Sequence, residues 1–97
     1  VEGGKEFIKF LQKEYPNIIL SIGHSNASYN QSIESFDWGI SHATHLFNAM
    51  NPLHHREPGI VGAVLGDSSI SCEIIADNIH IHPSFYNLIY KLKQERL

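Results

Sequence analysis

The run Ile18-Ile-Leu-Ser-Ile22 places apolar side chains at adjacent positions instead of at every second one. That is the pattern of a strand covered on both faces, as in a parallel sheet. Two further segments have strand character: Ile70-Ser-Cys-Glu-Ile-Ile-Ala76, and the more polar stretch His42 to Leu46. Helical stripes lie between and around them. Phe7, Ile8, Leu11 and Tyr15 share one side of a helix over Lys5 to Tyr15, which Pro16 ends. Ser28-Tyr-Asn-Gln31 matches a capping box and opens a second helix with Tyr29, Ile33 and Phe36 on one face and Gly39 at its end. Pro83 starts a last helix, where Phe85, Leu88, Ile89 and Leu92 follow helical spacing and Lys91, Lys93 and Arg96 suit the C-terminal end. Between them, Asn48 to Gly66 contains Pro52, Pro58, Gly59, Gly62 and Gly66 and reads as loop with at most one short helix.

The resulting order, α-β-α-β-loop-β-α, implies parallel pairing through right-handed crossovers. Three buried parallel strands cannot cover both faces of a sheet or hide both of its edges. The fold class is therefore α/β, and the natural host is a (β/α)₈ barrel of about 250 residues. Residues 1 to 97 are expected to be part of one such barrel domain. The start on Val-Glu-Gly-Gly without a methionine, and the end on a helical run, agree with a piece of a longer protein.

Composition removes several classes of function. A net charge of −3 gives no basic footprint for nucleic acid. A single cysteine, Cys72, rules out an internal disulfide framework, and its apolar setting favours an inert buried thiol over a reactive one. No apolar run reaches membrane-spanning length and the N-terminus lacks signal-peptide features, so the expected location is the cytoplasm.

Chemistry concentrates in histidines. His42, His45, His54 and His55 lie together in Ser41 to Gly59 with Arg56, His24 lies upstream, and His80 and His82 lie downstream. In a barrel the strand C-terminal ends carry the active site, and His24, His45 and His80 each fall at or just after one of them. His24 and His45, about one β-α unit apart, suit adjacent strand tips and a shared divalent ion. A catalytic zinc site has three protein ligands and a water, and no carboxylate of this sequence stands out as the third ligand. A satisfied core or loop histidine is the better reading for either one alone; as a pair on successive tips they favour ligation. His42, three residues before His45, belongs to the opposite face and to a supporting role. Arg56 suits bidentate contact with a phosphate, against the alternative of an ion pair with Glu57. Asn48 and Ala49 lie where an amide and backbone N–H groups meet a ligand oxygen. Asp77 can fix a histidine tautomer while His80 donates to a ligand, His82 suits a helix start, and Trp38 and Phe47 suit packing.

Taken together, Gly23-His-Ser-Asn-Ala27, Ala43-Thr-His-Leu-Phe-Asn-Ala-Met50, Arg56-Glu-Pro-Gly59 and Ile74-Ile-Ala-Asp77 followed by His80 resemble the N-acetylglucosamine-6-phosphate deacetylase family of the amidohydrolase superfamily. The likeness covers nearly the whole chain in order and spacing. It implies strands five to seven of a metal-dependent amidohydrolase barrel. It also implies release of acetate from N-acetylglucosamine 6-phosphate, giving glucosamine 6-phosphate in amino-sugar catabolism. By the same resemblance His24 and His45 are metal ligands, for zinc or iron, as one ion or two. Asn48, Ala49, Arg56 and His80 match substrate contacts, with Arg56 reaching across a homodimer. The family's metal-binding glutamate and its catalytic aspartate have no counterpart in these 97 residues, so no catalytic residue is assigned and the segment alone is expected to be inactive. Asn78 stands where glycine is usual, and Ser28 where threonine is. Two alternatives remain: a non-catalytic metal- or phosphosugar-binding polypeptide, and an amidohydrolase acting on a different amide.

Overall fold

In a computed structural model describing residues 2–97, the elements alternate as expected. They are α1 (Gly4–Glu14), β1 (Leu20–Ile22), α2 (Tyr29–Trp38), β2 (Ile40–Ala43), α3 (Gly59–Gly66), β3 (Ser71–Cys72) and α4 (Ser84–Lys93), with a 3₁₀ turn over Gln94–Arg96. The strands form one parallel sheet in the order β1-β2-β3. Register aligns Ile22 with Ala43 and Ala43 with Cys72, and all three are buried. Side chains alternate along a strand, so Ser21, His42 and Ser71, also in register, line the other face. The apolar face packs on α2, α3 and α4 through Ile40, Ile60, Val61, Val64, Ile70 and Ile89.

Local chemistry explains the boundaries. Ser28 forms the complete capping box: its Oγ accepts from Gln31 N at 3.1 Å, and its own N–H donates to Gln31 Oε1 at 2.9 Å. Gly39 closes α2 at φ 129°, where a Cβ would fall 2.6 Å from Gln12, and the chain passes straight into β2. That early turn moves β2 to Ile40–Ala43 instead of the expected His42 to Leu46, which leaves His45 just beyond the strand. β1 and β3 are also shorter than their apolar runs. Ile18 and Ile19 precede the first paired residue and are exposed, and beyond Glu73 the third run leaves the ladder.

The larger departure is α3, in the stretch expected to be mostly loop. Its sequence, Gly59-Ile-Val-Gly-Ala-Val-Leu-Gly66, has no polar face, and Gly59, Ile60, Val61, Ala63 and Val64 are all buried. A helix apolar all round is a buried helix, so its signal is absence of periodicity. Lys93 of α4 completes it from outside. The Nζ donates to the carbonyls of Val64 at 2.6 Å and Asp67 at 2.7 Å, satisfying the end of α3. Burial pushes the Lys93 amine below its ordinary pKa. Lys93 thus serves the neighbouring helix, not only its own C-terminal end.

Ile19, Phe7 and Ile79 remain 74, 61 and 84 % exposed, and Cys72 is a free, buried thiol whose pKa burial raises. Among the described residues no helix is long and apolar enough to cross a membrane.

Candidate functional site

The ends of β1 and β2 meet at Gly23. Thr44 N donates to Ile22 O at 3.0 Å, and a Cβ on Gly23 would stand 2.4 Å from Thr44 Cγ2. Only glycine lets the two strand ends approach this closely. The approach brings His24 and His45 together with ring centroids 4.6 Å apart and planes at 88°. His45 donates Nδ1–H to the Asn48 carbonyl at 3.0 Å, which fixes the tautomer and leaves the Nε2 lone pair without a protein partner. An open cleft of about 630 Å³ lies here, lined by Gly23, His24, Ser25, Asn26, Ala49 and Met50 among others. A second cavity, about 480 Å³, lies between α1, α2 and β1, shares Gly23, Ser25 and Asn26 with the first, and is lined by none of the candidate residues.

The backbone around the pair is unusual. His24 (φ 48°), His45 (φ 30°), Phe47 (φ 80°) and Ala49 (φ 56°) all occupy the left-handed region without being glycine. Each such residue costs on the order of 1–3 kcal/mol and persists only where its surroundings over-determine it. The amide Nδ2 of Asn48 is buried with no hydrogen-bond partner among the described residues, and a buried donor left unmade is costly. Phe47 packs on Phe85 at 5.5 Å between ring centroids, holding the loop to α4.

The other candidates stand on separate loops. Arg56 is exposed, and its Nη1 lies 3.1 Å from His55 Nε2, while His54 and His55 stack at 4.3 Å. The expected alternative, an Arg56–Glu57 ion pair, does not form. Glu57 instead accepts the backbone N–H groups of Tyr29 (2.9 Å) and Gly59 (3.0 Å), which hold its carboxyl below the usual range. Glu57 thus ties the start of α2 to the start of α3, and among the described residues no carboxylate pairs with Arg56.

In the loop that follows β3, several residues beyond the strand end, Asp77 organises His80. Its Oδ1 accepts the N–H groups of Ile79 and His80, each at 2.9 Å, and its Oδ2 accepts His80 Nδ1–H at 2.7 Å. The His80 amide, then the Ile79 amide and the imidazole, pull the Asp77 pKa down to about 2. Asn78 sits at φ 65° and is held by Tyr86, whose hydroxyl accepts from Asn78 N and donates to its Oδ1. Asparagine is the non-glycine residue best suited to that conformation.

One residue was missed from sequence. Glu73 accepts from Thr44 Oγ1 at 2.8 Å and lies 3.2 Å from His42 Nε2, whose Nδ1 is 2.7 Å from Ser71 Oγ. The Thr44 and His42 bonds, in that order, lower its pKa. Its signal was a lone carboxylate inside an apolar strand run, Ile70 to Ala76.

The donor set suits a borderline divalent ion: two converging imidazoles, one with its tautomer fixed by a backbone carbonyl. No group of three or more potential metal-ligating side chains occurs among the described residues, whereas a catalytic zinc takes three protein ligands and a water.

No protein-family model matches the chain. It is 47% identical over 76 residues, 78% of its length, to the N-acetylglucosamine-6-phosphate deacetylase of Lysinibacillus sphaericus, and covers 20% of that protein. It is 40% identical over 96 residues, 99% of its length, to the N-acetylgalactosamine-6-phosphate deacetylase of Escherichia coli O157:H7, covering 25% of that one. The crystal structure of the N-acetyl-D-glucosamine-6-phosphate deacetylase of Mycobacterium smegmatis matches 99% of the chain with a TM-score of 0.91 at 36% identity, over 27% of the solved chain. A mutant of that deacetylase in complex with N-acetyl-D-glucosamine-6-phosphate matches 94% of the chain with a TM-score of 0.86 at 35% identity, over 23% of the solved chain. The chain thus spans about a fifth to a quarter of the length of the relatives it matches.

Proposed function

We infer, from 47% and 40% identity to two hexosamine-6-phosphate deacetylases and a TM-score of 0.91 to a third, that the chain belongs to the N-acetylglucosamine-6-phosphate deacetylase family and that its three parallel strands are a segment of a (β/α)₈ barrel. On that premise we propose that it contributes half of a metal centre and the phosphosugar contacts of an enzyme releasing acetate from N-acetylglucosamine 6-phosphate. The observation that carries this is the convergence of His24 and His45 at 4.6 Å on adjacent strand ends. Residues 1–97 are proposed to be part of a single amidohydrolase barrel domain, acting in the cytoplasm.

In this proposal His24 and His45 hold the ion, zinc or iron, singly or as one of a pair. When bound, such an ion lowers the pKa of its water and polarises the amide carbonyl. The chain's own residues bind and orient. Asn48 has a buried N–H donor waiting for an acceptor, which the acetamide or a sugar hydroxyl supplies, and its neighbour Ala49 lines the cleft beside His24. Arg56, free of carboxylates, grips the phosphate, in its own site or across a homodimer. His80, with Nδ1 committed to Asp77, offers Nε2 to the substrate. Phosphate binding remote from the amide positions the reacting bond.

The test is acetate release by the full-length protein, loaded with zinc or iron, from N-acetylglucosamine 6-phosphate and from the unphosphorylated sugar. Metal-dependent release from the phosphorylated sugar alone is expected, with Arg56→Ala raising KM by about tenfold or more, in line with loss of a charge-assisted pair. No release from the phosphorylated sugar by the metal-loaded protein would sink the proposal. A polypeptide of residues 1–97 alone is expected to release none. One relative is named for the galactosamine epimer, so a second reading is a deacetylase of that sugar phosphate, and the ratio of kcat/KM values on the two epimers decides between them.

A further inference from the structure

We infer that Glu73 is a positioning residue that holds His45 in its ligating conformation; this rests on the proposal that His45 is a metal ligand. After β2 ends at Ala43 the backbone leaves the extended region, and His45 takes φ 30°. A non-glycine residue there needs to be held from several sides. Asn48 bonds His45 directly, through its N–H to the His45 carbonyl and its carbonyl to the His45 ring, and Glu73 holds the residues on either side. Its N–H donates to Ala43 O at 3.0 Å and its carbonyl accepts from Leu46 N at 2.8 Å. Those two bonds bracket Thr44 and His45. Its side chain then takes the Thr44 hydroxyl at 2.8 Å, so three of the four positions from 43 to 46 are tied to one residue.

The carboxylate is itself fixed although its side chain is 59% exposed. Oε1 meets Thr44 Oγ1, and Oε2 meets His42 Nε2, whose other ring nitrogen is 2.7 Å from Ser71 Oγ. The chain Ser71–His42–Glu73–Thr44 therefore crosses from β3 to β2 on the polar face of the sheet and ends one residue before His45. A carboxylate that already accepts two side-chain donors is committed to this network, which distinguishes it from a free ligand. Groups beyond the ligands that orient them set metal affinity by about 10–100-fold.

Zinc affinity of the full-length protein, measured by chelator competition, tests this with the visible spectrum of its cobalt(II) form and the thermal melting of the metal-free form. Glu73→Ala is expected to weaken zinc about 10–100-fold, alter the cobalt spectrum, and leave the melting of the metal-free form near wild type. Thr44→Val, which removes one hydroxyl, is expected to fall between, and Glu73→Gln, which keeps an acceptor for Thr44, to recover most of the affinity. If Glu73→Ala does not fold, the other two variants carry the test. Zinc affinity within twofold of wild type in the variants, while His45→Ala abolishes binding, overturns the inference alone. Weakening by Glu73→Gln equal to that by Glu73→Ala, with a matching fall in melting, also overturns it in favour of simple structural damage. Retained zinc in His45→Ala instead overturns the underlying ligand assignment.

Discussion

The first two strand ends and the third present histidine in opposite ways. At the first two, His24 and His45 face each other, no carboxylate touches either ring, and His45 spends its Nδ1 proton on a backbone carbonyl. At the third, His80 is bound at 2.7 Å to Asp77, which also gathers two backbone amides. Both rings spend Nδ1 on an oxygen, a backbone carbonyl for His45 and the Asp77 carboxylate for His80, and metal-bound imidazoles use either kind of partner. What sets the first two strand ends apart is the second imidazole beside His45.

The sharpest way to break this contrast is to remove each ring in turn. His45→Ala is expected to reduce metal affinity more than about 100-fold, beyond the range for residues outside the ligand set, whereas His80→Ala keeps the metal and raises KM. Equal metal content in both variants, read by elemental analysis of the purified protein, would erase the distinction. Gly23→Ala comes next. Its Cβ would collide with Thr44 Cγ2 at 2.4 Å, forcing the first two strand ends apart, with an expected loss of about 1–3 kcal/mol in urea unfolding and weaker metal binding. Glu73 should shift with Thr44, to which it is bonded, but His80, held by Asp77, should not, so a Gly23→Ala protein with disturbed His80 resonances would show the two histidine sites to be coupled.

The smallest effect concerns pH. The Asp77 carboxyl is depressed from an ordinary 3.8 to about 2. A group with a depressed folded pKa contributes stability that is complete above its unfolded value and lost as pH falls through the folded one. The loss from Asp77 should therefore run from about pH 4 down to 2 and vanish in Asp77→Asn, followed by thermal melting across that range. Because Asp77 is exposed, the change should be small, and a midpoint that keeps the same slope in Asp77→Asn would show that other carboxylates carry it.

Much of the scaffold was legible in the chain. The nearly unbroken apolar run Ile18–Ile22, of which Leu20–Ile22 pairs, the capping box at Ser28 and the stop at Gly39 are local signals with local causes, and α2 and the parallel sheet follow from them. The placing of His24 and His45 near successive strand ends was legible for the same reason, because strand order puts those ends side by side, although His45 was expected inside a strand over His42 to Leu46 and lies beyond β2. Helix α3 was not, since a helix buried all round shows no amphipathic period and its glycines and the nearby prolines imitate a loop. The role of Glu57 was also hidden, because its partners Tyr29 and Gly59 meet only when α2 and α3 pack.

Sequence by itself determined the alternation of strands and helices, the class of fold and the residue types at the strand ends, since each is set by short-range periodicity and capping. Tertiary structure alone decided which histidines face each other, which nitrogen His45 keeps free, and how four left-handed residues are held around the histidine pair. Those depend on contacts such as Gly23 with Thr44 and Glu73 with the segment from 43 to 46. Such contacts join residues far apart in the chain and exist only once the sheet has formed.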